Sequence, residues 1–216
     1  GKVTGTSTAF VKIGSGKLTA GAGWDNTGSV KVAEGELCLT SGNVIGTGAV
    51  TVDKDARLSG VTGTTALTNS SFTINGELVV GAFANATSGK INFGGKNVTI
   101  SSTGKYVVGK GSYSNTTIEN VNTLTINGTI EVVLASSYTP KDGDVLTLWT
   151  ANHFAGTPNY VLPNLPLGMA WDMSKISEGK LTIVSDPTAI GVVPFGAKYG
   201  HNDIYDLKGQ LVRKNA

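Results

Sequence analysis

The stretch GSGKLTAGAGWDNTGSVKVAEGELCLT, residues 14–40, decides the fold because it contains one short phrase twice. The phrase is a glycine, a charged residue and a leucine, first as Gly16-Lys17-Leu18 and then as Gly35-Glu36-Leu37. After each glycine, polar and apolar residues alternate with a period of two, which indicates a half-buried β-strand. The chain is therefore expected to begin a new strand each time the phrase returns.

Similar phrases recur along most of the chain, each opened by Gly or by Asn-Gly. Further copies begin at Gly48, Gly76, Gly89, Gly104, Gly128 and Gly179. Asn-Gly steps such as Asn75-Gly76 tolerate positive φ and mark sharp corners between strands. Almost no stretch has the 3.6-residue apolar period of an amphipathic helix, so essentially no long helix is expected.

Two architectures fit many short strands: a sandwich or barrel of hairpins, and a solenoid whose rungs stack in parallel. Successive phrases lie roughly 13 to 24 residues apart, which approaches the length of one solenoid coil. In such a coil each inward apolar residue stacks on its equivalent about 4.8 Å away, while polar residues face solvent. The spacing favours the solenoid and predicts that Leu37 and Val50 point inward.

Composition restricts the classes of function. Charged residues make up 15% of the 216 residues and aromatic residues 7%, whereas there are 30 glycines. The net charge of +2 comes from dispersed lysines and two arginines, Arg57 and Arg213, so nucleic acid is not an expected partner.

The single Cys38 is interpreted as a small buried hydrophobic residue. No run approaches the ~20 apolar residues of a membrane span, and an export signal is expected to lie outside this sequence, which starts at Gly1.

Residues 10–60 resemble the autotransporter-associated β-strand repeat. That family runs as Lys-x-Gly-x-Gly-x-Leu, then Gly-x-x-x-Val-x-x-Gly-x-Leu, then Gly-x-Gly-x-Val-x-Val and a closing Leu-x-Gly. The matching residues are Lys12, Gly14, Gly16, Leu18, Gly28, Val32, Gly35, Leu37, Gly46, Gly48, Val50, Val52, Leu58 and Gly60. Between about residues 61 and 150 the match is looser.

Residues 154–184 resemble the segment that commonly ends such β-helical passengers. The likeness is carried by Leu162-Pro163, Leu165-Pro166, Gly168, Trp171-Asp172 and Gly179-Lys180-Leu181. The resemblance implies an all-β, right-handed parallel β-helix, a single-stranded β-solenoid, on an exported protein. We expect this solenoid over residues 1–185 and a short C-terminal β cap or tail over residues 186–216.

The tail has a different composition after Ser185-Asp186-Pro187. Its end resembles the Tyr-Asp-Leu-x-Gly-x-x-Val endings of surface and secreted proteins of Bacteroidetes, through Tyr205, Asp206, Leu207, Gly209 and Val212. Two interpretations stay open. The tail is a sorting-like segment of the type IX secretion route, or it is a capping hairpin with strands at 204–207 and 210–212.

Residues with catalytic or metal-binding chemistry are sparse. Asp53 with Asp55, and Asp142 with Asp144, sit at strand entrances and are interpreted as turn residues, because neither pair brings the further oxygen ligands of a calcium site. The two histidines, His153 and His201, lie on different segments, which excludes a multi-histidine metal site. We therefore assign no catalytic residue, no metal ligand and no cofactor.

Exposed aromatic rings in line would instead point to sugar binding. Trp24, in the polar loop before Gly28, and Tyr113, near Asn115, are the candidate glycan contacts, although packing is the favoured interpretation of Trp24.

These observations lead to two hypotheses. The first is a non-catalytic, cell-surface or secreted scaffold with an adhesin-like role, expected to be the C-terminal part of a longer exported protein, with a surface glycan or a host or matrix protein as partner. The alternative is a carbohydrate-binding module or a fragment of a glycan-active β-helix enzyme. The alternative needs exposed aromatic residues in line, or carboxylates from adjacent rungs on one sheet.

Overall fold

The protein is an all-β solenoid in a computed structural model that describes residues 3–21, 23–81, 89–112 and 115–186. For residues 204–205 and 211–213 it describes the backbone alone. Most of the strands belong to two parallel sheets of seven strands each. Within the described residues the helical structure is one 3-10 turn, Ile176–Glu178, so the expected lack of a long helix is confirmed there.

Strands are numbered in chain order. Sheet A contains, from one end of the rod to the other, β1 (Phe10–Lys12), β3 (Val30–Val32), β5 (Val50–Val52), β7 (Ser71–Ile74), β9 (Gly89–Ile100), β11 (Thr116–Ile126) and β14 (Trp149–Ala155). Sheet B contains β2 (Lys17–Ala20), β4 (Glu36–Leu39), β6 (Arg57–Gly60), β8 (Glu77–Val80), β10 (Lys105–Lys110), β12 (Thr129–Leu134) and β15 (Asn159–Val161).

The chain alternates between the two sheets, and one strand from each makes a rung. Neighbours within each sheet are parallel, so the solenoid prediction is confirmed and the hairpin sandwich is excluded. The register brings equivalent residues of the phrase together: Leu18 lies opposite Leu37, Leu37 opposite Leu58, and Leu58 opposite Leu78. Like side chains therefore form continuous columns inside the coil.

The inward columns form the hydrophobic core. Leu37 and Val50 are 0% and 1% exposed, which confirms their predicted inward direction. The column containing Leu37 continues through Tyr106 and Ile130, both fully buried. Outward positions of β3 and β4, such as Lys31 and Glu36, are more exposed than the apolar positions beside them, as the period of two requires.

Five of the glycines that open the phrases make the corners between a strand of sheet A and the next strand of sheet B: Gly16, Gly35, Gly76, Gly104 and Gly128. At Gly35 the backbone has φ +67°, and a Cβ atom there would lie 2.5 Å from the carbonyl oxygens of Gly14 and Gly16 in the rung below. Only a residue without a side chain allows successive corners to stack this closely. The glycines are thus architectural, as the spacing predicts.

The region of looser repeat match has a physical cause. β9 and β11 have 12 and 11 residues, several times the length of β3 or β5. Positive φ angles at Gly94, Gly95 and Asn120 occur within these strands, and the register between them shifts there. In the shorter rungs a loop precedes a strand of sheet A, whereas in β9 and β11 one long strand replaces both. The glycine phrase therefore loses its regular spacing here.

The parallel rungs end with β15, and the chain also forms an antiparallel sheet. It consists of β13 (Val145–Thr147), β17 (Lys180–Ser185) and β16 (Met169–Asp172), with β17 in the middle. Leu181 and Ile183 of β17 are fully buried, and Trp171 packs against the core from β16. The range predicted as β-helix, residues 1–185, thus includes parallel rungs to Val161 and an antiparallel sheet, of which β13 precedes the last rung and β16 and β17 follow it.

In the tail, β18 (Ile204–Tyr205) and β19 (Leu211–Arg213) pair antiparallel, in agreement with the hairpin interpretation of these residues. Their side chains and the rest of residues 187–216 lie outside the described part of the chain. A domain boundary at residues 185/186, a capping position for the hairpin and a sorting role all stay predictions.

Candidate functional site

A groove of about 480 Å³ runs along the corner where sheet A passes into sheet B. Its floor is formed by the outward side chains at the start of the sheet B strands: Glu36, Arg57, Glu77 and Lys105. The turns between the sheets supply its rim, which includes Lys54, Asp55, Asn75 and Thr103. The groove is the largest concentration of paired charges that the structure describes.

The floor is an alternating charge ladder, which we define as Lys17, Glu36, Arg57, Glu77, Lys105 and Glu131. Lys17 Nζ lies 3.1 Å from Glu36, and Arg57 lies 3.8 Å from Glu36 and 2.6 Å from Glu77. Lys105 Nζ lies 3.4 Å from Glu77 and 3.1 Å from Glu131. Each inner member thus touches a group of opposite charge on both sides.

The ladder follows directly from the phrase and the register. In four of the six members, Lys17, Glu36, Glu77 and Lys105, the charged residue comes directly after the corner glycine. Parallel pairing places the first five members, Lys17 to Lys105, directly opposite one another in sequence. At the far end Thr129 takes the position opposite Lys105, and Glu131, two residues further along β12, supplies the carboxylate instead.

Electrostatics favours the ionised forms of Glu36 and Glu77. Burial alone would raise the pKa of Glu36, but the hydrogen bond from Ser59 and the contacts with Lys17 and Arg57 outweigh it, so the pKa is lowered. Burial also opposes the shift at Glu77, where hydrogen bonds from Arg57 and Lys105 nevertheless lower the pKa. The hydrogen bond with Glu131 raises the pKa of Lys105.

Reversing the central charge should destabilise the rod. In Arg57→Glu, three carboxylates would follow one another along sheet B, so we expect the free energy of unfolding to fall by about 2 kcal/mol. Urea unfolding at low ionic strength measures the change. Arg57→Gln, which removes the attraction without adding repulsion, should cost about 1 kcal/mol or less. A loss for Arg57→Glu that does not shrink in about 1 M salt would contradict an electrostatic cause.

The lowered carboxyl pKa values also predict acid sensitivity. A group whose pKa is lower in the folded state stabilises the fold at pH above its unfolded value, and this contribution is lost as the pH falls through the folded pKa. For Glu36 and Glu77 the loss should therefore begin near their ordinary value of 4.5 and continue below it. Urea midpoints measured from about pH 6 downward test this. Glu77→Gln should flatten the curve, and an unchanged curve would contradict the assignment.

The ion pairs with Arg57 make Glu36 and Glu77 poorly suited to act as general acids. A general acid needs a carboxyl whose pKa is raised, whereas Glu36 and Glu77 have lowered pKa values and flank Arg57. These two carboxylates stand on alternate strands of sheet B, not on adjacent rungs. The groove presents fixed charges and hydrogen-bonding groups on a rigid sheet.

Trp24 is packed in the core, in agreement with its favoured interpretation, and is not exposed as a glycan contact would have to be. Its side chain is 3% exposed and packs against Phe10, with ring centroids 4.7 Å apart. The polar neighbours Asp25 and Asn26 suggest a solvent-facing loop, but Trp24 forms a parallel bridge with Ile45 on the third side of the coil. A sugar cannot stack on a ring in this position. Tyr113 lies outside the described residues.

The acidic pairs serve as turn residues. Asp53 pairs with Lys31 at 2.9 Å, and Asp55 has φ +68° in the following turn. Asp142 accepts a hydrogen bond from the Ser185 N–H, and Asp144 accepts hydrogen bonds from the Tyr138 hydroxyl and the Lys141 N–H. The interpretation of both pairs as turn residues is confirmed.

The remaining candidates are separate from the groove. His153 is exposed on β14, opposite Thr123, and His201 lies outside the described residues. Cys38 is half-buried on the outer side of β4, which corrects its prediction as a buried residue. The reason is parity, since Leu37 and Leu39 on either side take the inward positions.

Sequence reasoning did not identify the ladder. The available signal was the sign of the residue after the corner glycine, which changes from Lys17 to Glu36 and from Glu77 to Lys105. A search for identical residues reads these positions as generic polar sites. The ladder would have been predicted if the signs of these charges had been compared between strands paired in parallel register.

Comparisons with known proteins do not extend the assignment beyond the fold. No protein-family model matches the chain, and a comparison with curated proteins finds no match. None of the helical segments in the described residues is long and apolar enough to span a bilayer. The fold and the ladder are thus the basis for any statement on function.

Proposed function

We propose that the chain is a non-catalytic scaffold, carried on the outer cell surface or secreted, with an adhesin-like role. The resemblance of residues 10–60 to the autotransporter-associated repeat, and of the tail to endings found in Bacteroidetes, supports export and a bacterial source of that kind. A parallel solenoid also suits a stalk, because its length grows with the number of stacked rungs.

The observation that carries the proposal is the charge ladder. Its members bind one another along the rod, through contacts of 2.6 to 3.8 Å, and the carboxylates Glu36 and Glu77 have the lowered pKa values of structural ion pairs. These charges strengthen the stacking of rungs. A role in holding a rigid rod accounts for them without a reaction.

The proposal is tested in two measurements. The purified chain, incubated with a panel of acidic and neutral polysaccharides, should release no more reducing ends or unsaturated products than a buffer control. In the native organism, antibody labelling of intact cells should detect the protein at the surface or in the medium. Measurable product release that an Arg57→Gln, Glu77→Gln double variant abolishes would overturn the non-catalytic assignment. Detection confined to the cytoplasm would overturn export.

Carbohydrate binding is the second candidate, and the groove favours it. Clefts of several hundred Å³ with a few converging polar groups are typical of ligand sites, and the rim offers Lys54, Asn75 and Thr103. A glycan array followed by calorimetry tests this function. Lys54→Ala should weaken binding of any hit, whereas Lys31→Ala, on the outer side of sheet A, should not. Equal effects of both variants would indicate binding outside the groove.

A further inference from the structure

The groove contains a gap between corners of unequal length. The corners at residues 53–56 and 101–104 have four residues each, whereas Asn75-Gly76, which lies between them in the stack, has only two. Side chains from all three corners line the gap: Lys54, Asp55, Asn75 and Thr103. An added Cβ atom at Gly76 would overlap carbonyl oxygens of the corner at 53–56, so the backbones of these two corners are in direct contact. The shape of the gap is therefore set by the backbone of the rod.

The floor beneath the gap alternates hydrogen-bond donors with acceptors. Arg57 and Lys105 carry only donors, and Glu77 between them carries only acceptors. The side chains of Arg57, Lys105 and Glu77 are still 46%, 39% and 29% exposed, so a ligand can reach them although they are paired. A hydroxyl group both donates and accepts, and it can therefore bond to a donor and to the acceptor beside it.

The lining of the groove has no net charge. Three basic and three acidic side chains contribute to it: Lys54, Arg57, Lys105, Glu36, Asp55 and Glu77. The charges of the floor already have partners, since Arg57 contacts Glu36 and Glu77, and Lys105 contacts Glu77. A charged ligand would have to displace one of these partners and leave it unpaired, which offsets what the new ion pair gains. An uncharged ligand meets no such cost.

The rim adds polar groups that the protein itself does not use. Among the residues that the structure describes, the side chains of Lys54 and Asn75 have no hydrogen bond or ion pair. The ammonium group offers three donors, and the amide offers two donors and an acceptor. The described lining includes no aromatic ring, so apolar contact with a sugar is limited to the aliphatic stems of Arg57 and Lys105. Hydrogen bonds have to supply most of the affinity.

We propose that the groove binds an uncharged oligosaccharide and discriminates against acidic and basic ones. This inference rests on carbohydrate binding, the second candidate function, and adds the class of sugar to it. The oligosaccharide lies along the charge ladder from Glu36 to Lys105, a length of about 14 Å at ~4.8 Å per rung. Its hydroxyl groups bridge neighbouring donors and acceptors of the floor, and one sugar ring occupies the gap beside Asn75.

The test compares oligosaccharides of equal length and different charge. Cellohexaose, mannohexaose and laminarihexaose are the neutral probes, hexagalacturonic acid is the acidic probe and a chitosan hexamer is the basic probe. Calorimetry with the chain of 216 residues should show one or more neutral hexamers binding at least about fivefold more tightly than either charged hexamer, as expected when a charged ligand costs one exposed ion pair. The Kd of the neutral hexamer should change less than about twofold between low and high salt, because no charge of the ligand is screened.

Three variants connect the preference with the groove. Asn75→Ala removes a free amide and should weaken binding of the neutral hexamer about fivefold. Asn152→Ala, the same truncation at an exposed position of β14, should leave its Kd within about twofold. Glu77→Gln removes the carboxylate that neutralises Arg57 and Lys105, so it should strengthen binding of hexagalacturonic acid about fivefold at low salt. Circular dichroism and thermal unfolding check that each variant stays folded.

Each contrary result has a defined meaning. Tighter binding of a charged hexamer than of every neutral one would overturn the inference and leave carbohydrate binding in place. No binding of any hexamer would overturn carbohydrate binding together with the inference. Equal effects of Asn75→Ala and Asn152→Ala would put the site outside the groove and contradict the inference. An unchanged affinity of Glu77→Gln for hexagalacturonic acid would contradict neutralisation of the floor as the cause of the preference.

Discussion

Leu37→Asp is expected to unfold the rod. The Leu37 side chain is 0% exposed and lies between Leu18 and Leu58 in an inward column of sheet B. A carboxylate there would be buried among hydrocarbon side chains, at a cost of more than about 4 kcal/mol. That is a large fraction of the stability of an ordinary domain, about 5–15 kcal/mol. Far-UV circular dichroism and urea unfolding should show loss of β-structure or a much lower midpoint.

The matched control lies on the neighbouring strand. Thr19 points outward and is exposed, so Thr19→Asp should change the free energy of unfolding by no more than about 0.5 kcal/mol. If Leu37→Asp were as stable as Thr19→Asp, the inward column would be wrongly assigned. Val50→Asp repeats the experiment in sheet A, where Val50 is 1% exposed.

Gly128→Ala is expected to cost about 3 kcal/mol, near the upper end of overpacking in a rigid site. Gly128 forms a corner directly before β12, and an added Cβ would overlap the carbonyl oxygens of Gly104 and Ser101 in the preceding corner. Those oxygens belong to backbone held by both sheets, so they cannot move aside as a flexible side chain would. Thermal or urea unfolding measures the loss.

Gly16 provides the control because it occupies the same place in the phrase. It lies in the first corner between the sheets that the structure describes, where an added Cβ would meet nothing within 4 Å. Gly16→Ala should therefore change stability by no more than about 0.5 kcal/mol, with a small gain from reduced freedom of the unfolded chain. Equal losses for Gly16→Ala and Gly128→Ala would show that the cost comes from backbone conformation and not from stacked corners.

The parts of the fold that repeat could be predicted from sequence. Alternation with a period of two fixes which face is buried, and the glycine spacing distinguishes stacked rungs from hairpins. Leu37 and Val50 were placed correctly for this reason. The antiparallel strands of the tail likewise agree with a local turn signal at Lys208-Gly209.

The third side of the coil does not carry the glycine phrase, so the sequence favoured packing of Trp24 but left glycan contact open. Trp24 sits among polar residues, and only the parallel bridge to Ile45 turns its ring inward. Lys12, on β1 of sheet A, is a different case, because a charged residue occupies an inward position there and is 8% exposed. Its inward direction follows from strand parity, and its charge is satisfied by three carbonyl oxygens that no pattern in the sequence identifies.

The alternating charges of the ladder also disfavour one kind of misfolded coil. Because the leucine column is nearly uniform, hydrophobic stacking alone would accept a coil in which one rung has looped out and its neighbours have closed over the gap. Such an error would bring Lys17 next to Arg57, or Glu36 next to Glu77, and like charges would repel. The signs of these residues therefore favour the correct order of strands during folding, where the identical leucines cannot distinguish one rung from the next.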